Sequence, residues 1–152
     1  MSATTIKTSN IFTSIFSPVL VILSVILSFL VAGNPANFQP YVKENVTTET
    51  AKITVIAENK TLNNVGDPRV RSIEKLQEGE WVTAGAYDCF TDDYSVYHVF
   101  STFKETIHFE GMNMGKTLPE GEYRVVITFC LEGKRSDSTM QTAYAYFTVT
   151  SP

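Results

Sequence analysis

Between Lys7 and Lys43 the chain carries no charged side chain, and residues 11–32 are mostly apolar. Such a run has few places to go in a folded protein. As a helix rising about 1.5 Å per residue it reaches about 33 Å, enough to cross the hydrocarbon core of a bilayer. It is therefore expected to be a retained single-pass anchor or a secretory signal peptide. For the signal, Val31-Ala32-Gly33 offers the small residues a peptidase reads. The run exceeds the usual apolar core of a signal, which favours the anchor. Lys7 is the charge nearest its N-terminal edge, and no basic residue lies close beyond the other edge. The N-terminus is expected inside, with the remainder translocated.

On a helical wheel, Thr13, Ser14, Ser17, Ser24, Ser28 and Ala32 share about one third of the circumference. Ser24-xxx-Ser28-xxx-Ala32 is a ladder of small residues that lets a second helix approach closely. Its serines are equally able to bond their own i−4 carbonyls. Self-association through this stripe is one expectation; substituting Leu at Ser24 and Ser28 should weaken it.

The 152 residues carry a net charge of −4, with Lys and Arg scattered along the chain. Phosphate binding wants a clustered basic face, so no nucleic-acid partner is expected. The two cysteines, Cys89 and Cys130, both follow the apolar run. In an oxidising compartment such a pair is expected to form a disulfide; two free thiols and half a metal site are the alternatives. Asn45 and Asn59 each open an Asn-x-Thr glycosylation sequon in the translocated part.

Pro35 and Pro40 end helical continuation, so residues 34–46 read as an extended stalk. From Thr47 onward the apolar period is two. Ala51, Ile53, Val55 and Ala57 alternate, as do Tyr123, Val125, Ile127, Phe129 and Leu131, and then Ala143, Ala145, Phe147 and Val149. Residues 70–76 suggest a short strand, and residues 59–68 are dense in turn formers. No sustained helical period follows residue 47, so the fold class is all-β. Leu76-x-Glu-Gly-Glu-Trp81 is echoed by Leu118-x-Glu-Gly-Glu-Tyr123, which reads as one turn used twice. The expected organisation is a cytoplasmic tail (1–10), the membrane helix or signal (11–33), the stalk (34–46) and a β-domain (47–152).

Leu118-Pro-Glu-Gly-Glu-Tyr123, the strand it opens and the closing Phe147-x-Val149 resemble the last two strands of immunoglobulin-like antiparallel β-sandwiches. That resemblance implies an inward Tyr123 bracing a corner. Cys130 then falls on the opposite face, so it is not the usual buried inter-sheet cysteine. A membrane helix ahead of a sandwich, with Ser17-Pro18-Val19 early in it, looks like archaeal type IV pilins and filament accessory proteins. The basic-glycine processing site of pilins is missing here. A cleaved product would resemble secreted lipid-recognition sandwiches of the ML type, which carry more cysteines.

Chemistry-bearing residues are sparse. His98 and His108 are isolated on strand-like segments, and Asp88, Asp92 and Asp93 match no calcium-loop spacing. No nucleophile–base pair, phosphate-cradling loop or metal-ligand set can be assembled, so neither catalysis nor a cofactor is expected. Tyr144 and Tyr146 lie on the non-core face of the last strand, and an outward row of tyrosine is the composition of a contact surface. The expected role is a non-enzymatic, membrane-anchored binding or assembly module outside the cytoplasm. A protein partner or a second copy would be its ligand. A filament subunit and a secreted lipid carrier are the alternatives.

Overall fold

The computed structural model describes residues 21–23, 37–61, 63–88, 94–131 and 140–152. Among them, strands form two sheets. The first holds β1 (Phe38–Val42), β3 (Lys52–Asn59) and β7 (Thr102–His108), antiparallel in the order β1-β3-β7. The second has the order β2-β9-β8-β4-β5 and holds β2 (Val46–Thr47), β4 (Val65–Gln77), β5 (Glu80–Ala86), β8 (Gly121–Leu131) and β9 (Met140–Thr150). β6 (Val96–Tyr97) also pairs with β4, and β2 runs parallel to the end of β9. The all-β, immunoglobulin-like expectation holds.

Alternation builds the core. Ile53, Val55 and Ala57 of β3 and Phe103 and Ile107 of β7 face Val125, Ile127 and Phe129 of β8 and Ala145 of β9. Each of these is essentially closed to solvent, and burying one large apolar side chain contributes about 1.5–3 kcal/mol. Tyr123 points inward as expected, and its hydroxyl donates to the Pro119 carbonyl at 2.8 Å. That bond braces the corner where the chain enters β8.

Three differences from the sequence reading have physical causes. The sandwich begins inside the expected stalk: β1 pairs with β3, and Phe38 is 1% exposed against Phe129 and Phe103. β4 begins at Val65, within the turn-rich stretch, because shifts in its register with β8 absorb Asp67 at positive φ and Pro68. The two Glu-Gly-Glu echoes are different turns. Glu78 and Gly79 have the paired positive φ values of a two-residue hairpin between β4 and β5. Gly121 instead starts β8 at φ +147, where a Cβ would lie 2.8 Å from Lys75 Cε.

The membrane helix over 11–33 falls outside the described residues except for Val21, Ile22 and Leu23, which are helical and exposed. Ser17, Ser24, Ser28 and Ala32 also lie outside them. Among the described residues no helix is long and apolar enough to cross a membrane.

One acid shares the inward row of β7. Glu105 lies between Phe103 and Ile107 on the core-facing side. Burial pushes its carboxyl above the usual carboxylate range, partly offset by the Val70 N–H that it accepts. Burial also raises Tyr87, with a further push from Glu105's charge. The folded state thus holds this proton more tightly than the unfolded chain. The stabilising contribution is full below the unfolded value, near 4.5, and is lost as pH rises through the folded value. Glu105→Gln should therefore raise stability at pH 7 and flatten the difference in melting temperature between pH 5 and pH 7. A variant profile parallel to wild type contradicts this.

Candidate interaction face

The outer face of the second sheet gathers the residues best placed for contact. Register puts Arg124 of β8 between Glu74 of β4 and Tyr146 of β9, with Tyr144 two positions back on the same face. Arg124 Nε donates to Glu74 Oε2 at 2.6 Å. Its guanidinium carbon lies 4.5 Å from the Trp81 ring centre and 4.2 Å from that of Tyr144. Trp81 meets Tyr146 edge-on at 5.7 Å, and Tyr144 and Tyr146 are 6.2 Å apart. Three aromatic rings are thus held around one cation.

The electrostatics suit a rigid platform. Burial works against the Arg124 charge, but hydrogen bonds to Glu74 and Tyr146 outweigh it and hold the guanidinium more firmly protonated than usual. Glu74 cancels that charge locally, and cation–π contact fixes the rings. Tyr146 is 59% exposed and Tyr144 38%. Preordered aromatic area of this kind loses little entropy on binding. Along the same edge an open groove of about 490 Å³ runs between Phe38, Gln39 and Pro40 of β1 and Thr142, Ala143, Tyr144 and Tyr146 of β9.

The tyrosine pair was legible from alternation; its framework of Trp81, Arg124 and Glu74 was not. Those three come from separate strands, and only cross-strand register brings them together. Two tyrosines ahead of β7 go elsewhere. Tyr97 is half-buried edge-on to Phe103, and Tyr94 sits with its hydroxyl 3.7 Å from Cys130 Sγ.

Cys130 is a buried free thiol on the face opposite Tyr123, its Sγ 3.2 Å from the Gly66 carbonyl. Cys89 lies outside the described residues, and among those described no disulfide is seen. Asn45 is exposed between β1 and β2. Asn59 is not: it is 0% exposed, and its side-chain amide donates to the carbonyls of Asn63, Tyr97 and His98. Thr61 completes this knot, its amide and hydroxyl both bonding Asn59 Oδ1. The second sequon is thus a structural lock with its nitrogen occupied, which leaves no room for a sugar in the folded domain. Sequence reading missed this because a buried Asn-x-Thr turn and an acceptor site share one pattern.

His98 and His108 are exposed, one before β7 and one at its end, with His98 Nδ1 3.4 Å from Asn64 Oδ1. Asp88 accepts from the Asn113 side chain at 2.7 Å; Asp92 and Asp93 lie outside the described residues. Among the described residues no three potential ligands gather for a metal. Between the sheets, the Phe38 and Phe129 rings meet at 4.6 Å. Around that contact the described core side chains are closed to solvent.

Comparison with known proteins bears on the fold. A family model described as a bacterial Ig-like domain matches residues 39–148. No curated protein matches the chain. Among solved structures, the ASH / PapD-like domain of human CEP192 (PapD-like domain 7) is similar at 14% identity and a TM-score of 0.35. The match covers 78% of this chain and 89% of that one.

Proposed function

The chain belongs to the bacterial Ig-like domain family, and from that premise we propose that it is a membrane-anchored module that binds a protein partner outside the cytoplasm, with no chemistry of its own. Sandwich domains of this kind are general binding or assembly modules, so the family supplies the class of work and the site must supply the rest. One observation carries the reading: the Arg124-centred aromatic face, where exposed Tyr144 and Tyr146 are held rigid by a cation rather than packed into the core. The uncharged run over residues 11–32 supplies the anchor in this proposal. The likeness to pilin-type proteins needs that same run ahead of the sandwich, so the sandwich by itself does not favour the filament reading.

Photo-crosslinking on intact cells tests the contact face. With a benzophenone amino acid replacing Tyr146 in the full-length chain, a discrete cross-linked species is expected. The same probe replacing Lys52, exposed on the other sheet, should give none. Equal yields at the two positions, or none at 146, overturn the assignment.

A further inference from the structure

Among the described residues, the most exposed large apolar side chain sits at one end of the sandwich. Phe100, in the turn between β6 and β7, is 77% exposed, and Val96 and Tyr94 shortly before it are exposed too. Single apolar side chains at a surface are ordinary. This one is held out under strain. Its φ is +63, a conformation that bulky side chains disfavour and that Asn or Gly adopts readily. The Phe100 N–H donates to the Asn59 carbonyl at 2.9 Å, and the Ser101 N–H donates to the His98 carbonyl at 3.0 Å. The turn is thus a fixed pedestal under a ring that gives nothing to the core. Strain kept at such a position points to a contact outside the domain.

The same end receives the chain from the apolar run. Phe38, the first residue of β1, lies opposite Asn59. Asn37 accepts a bond from the Lys60 N–H at 3.1 Å, one residue from the Asn59 that holds the Phe100 turn. With residues 11–32 as a membrane anchor, only residues 33–37 separate it from β1. Five extended residues reach at most about 17 Å. We propose that the Phe100 turn rests on the bilayer that holds the anchor, with the Phe100 ring in the interface and Val96 and Tyr94 at its margin. The inference rests on the anchored reading above. Aromatic rings favour the boundary between headgroups and acyl chains. The short tether keeps the ring at high local concentration beside that boundary, so a single ring suffices. Two attachments fix the orientation. The β4–β5 hairpin at Glu78 and Gly79 points away from the bilayer, and the Arg124 face stands to the side, open to a partner.

Fluorescence quenching tests the contact. The full-length chain is reconstituted in phosphatidylcholine vesicles with or without brominated acyl chains. Trp81, the sole tryptophan, lies beside the β4–β5 hairpin, so bromine should leave wild-type emission unchanged. Phe100→Trp in a Trp81→Phe background should lose about half its emission or more, since an interfacial ring is buried about 5–10 Å. Phe100→Asn should keep or raise the urea midpoint of the chain in the same vesicles, because Asn accepts positive φ. A chain that fails to float with the vesicles removes the anchor and this contact together. A chain that floats, with the tryptophan at position 100 quenched no more than Trp81, overturns the contact and leaves the anchor standing. A lower urea midpoint for Phe100→Asn also overturns it, by placing the ring against another part of the same chain.

Discussion

Asn59→Ala is expected to destabilise the domain by about 4 kcal/mol, lowering its melting temperature by roughly 15 °C. The size follows from the number of groups that one side chain satisfies. Its amide reaches three carbonyls, at 2.8 Å for Asn63 and 3.2 Å for both Tyr97 and His98, so its two hydrogens are shared among them. Its Oδ1 takes the Thr61 amide at 3.0 Å and hydroxyl at 2.7 Å. The main chain adds bonds from Asn59 N to the Ser101 carbonyl and from Phe100 N to the Asn59 carbonyl, each 2.9 Å. These bonds weld the end of β3 to the turn between β6 and β7. There Phe100 is held at φ +63, uncommon for a bulky side chain, and left 77% exposed. Alanine takes the amide bond from the Tyr97 carbonyl and the acceptor from the buried Thr61 N–H, while the Asn63 and His98 carbonyls keep bonds from the Thr61 hydroxyl and from Ser101; each buried group left unpaired costs about 1–3 kcal/mol. Thr61→Val should cost less, because Asn59 keeps its three carbonyls. Urea unfolding of the full-length chain measures both variants, and an Asn59→Ala loss below about 1 kcal/mol would contradict the lock.

Phe38→Ala should cost about 3–4 kcal/mol, within the usual range for deleting a core aromatic. Phe38 is where the structure departs most from the expected stalk, since a side chain on a solvated linker would lose almost nothing. Its ring lies 4.6 Å from Phe129 and 6.4 Å from Phe103, spanning both sheets. It is therefore the contact by which β1 closes one side of the sandwich. The loss should appear as a shift in midpoint at constant denaturant slope, the mark of a contact within one cooperative unit. A variant as stable as wild type would return residues 34–46 to the role of a tether.

What the sequence disclosed follows from the range of the interactions concerned. Alternation is local, so the inward rows of β3, β8 and β9 and the inward Tyr123 were readable from single stretches. β1 was hidden because Gln39-Pro40-Tyr41 shows little apolar period, and Phe38 is buried by strands from elsewhere in the chain. β4 was cut short because Gly66-Asp67-Pro68 reads as a turn, while its bulges depend on the register of β8. The proposed contact face was half visible. Tyr144 and Tyr146 announce themselves by spacing, but Arg124 gains its partners only when β4 and β9 flank it. Asn59 misled because a glycosylation sequon records what an enzyme recognises in an unfolded chain and carries no information about burial.

The proposed role requires the sandwich to lie across the membrane from residues 1–10, and side-directed labelling asks that question directly. Glu58 is exposed on β3, and Ser2 lies ahead of the apolar run. In a Cys89→Ser background, with Cys130 buried, a membrane-impermeant maleimide applied to intact cells should label Glu58→Cys at once. It should label Ser2→Cys only after lysis. Labelling of Glu58→Cys only after lysis would put the sandwich on the cytoplasmic side and contradict the account of a module that meets its partner outside.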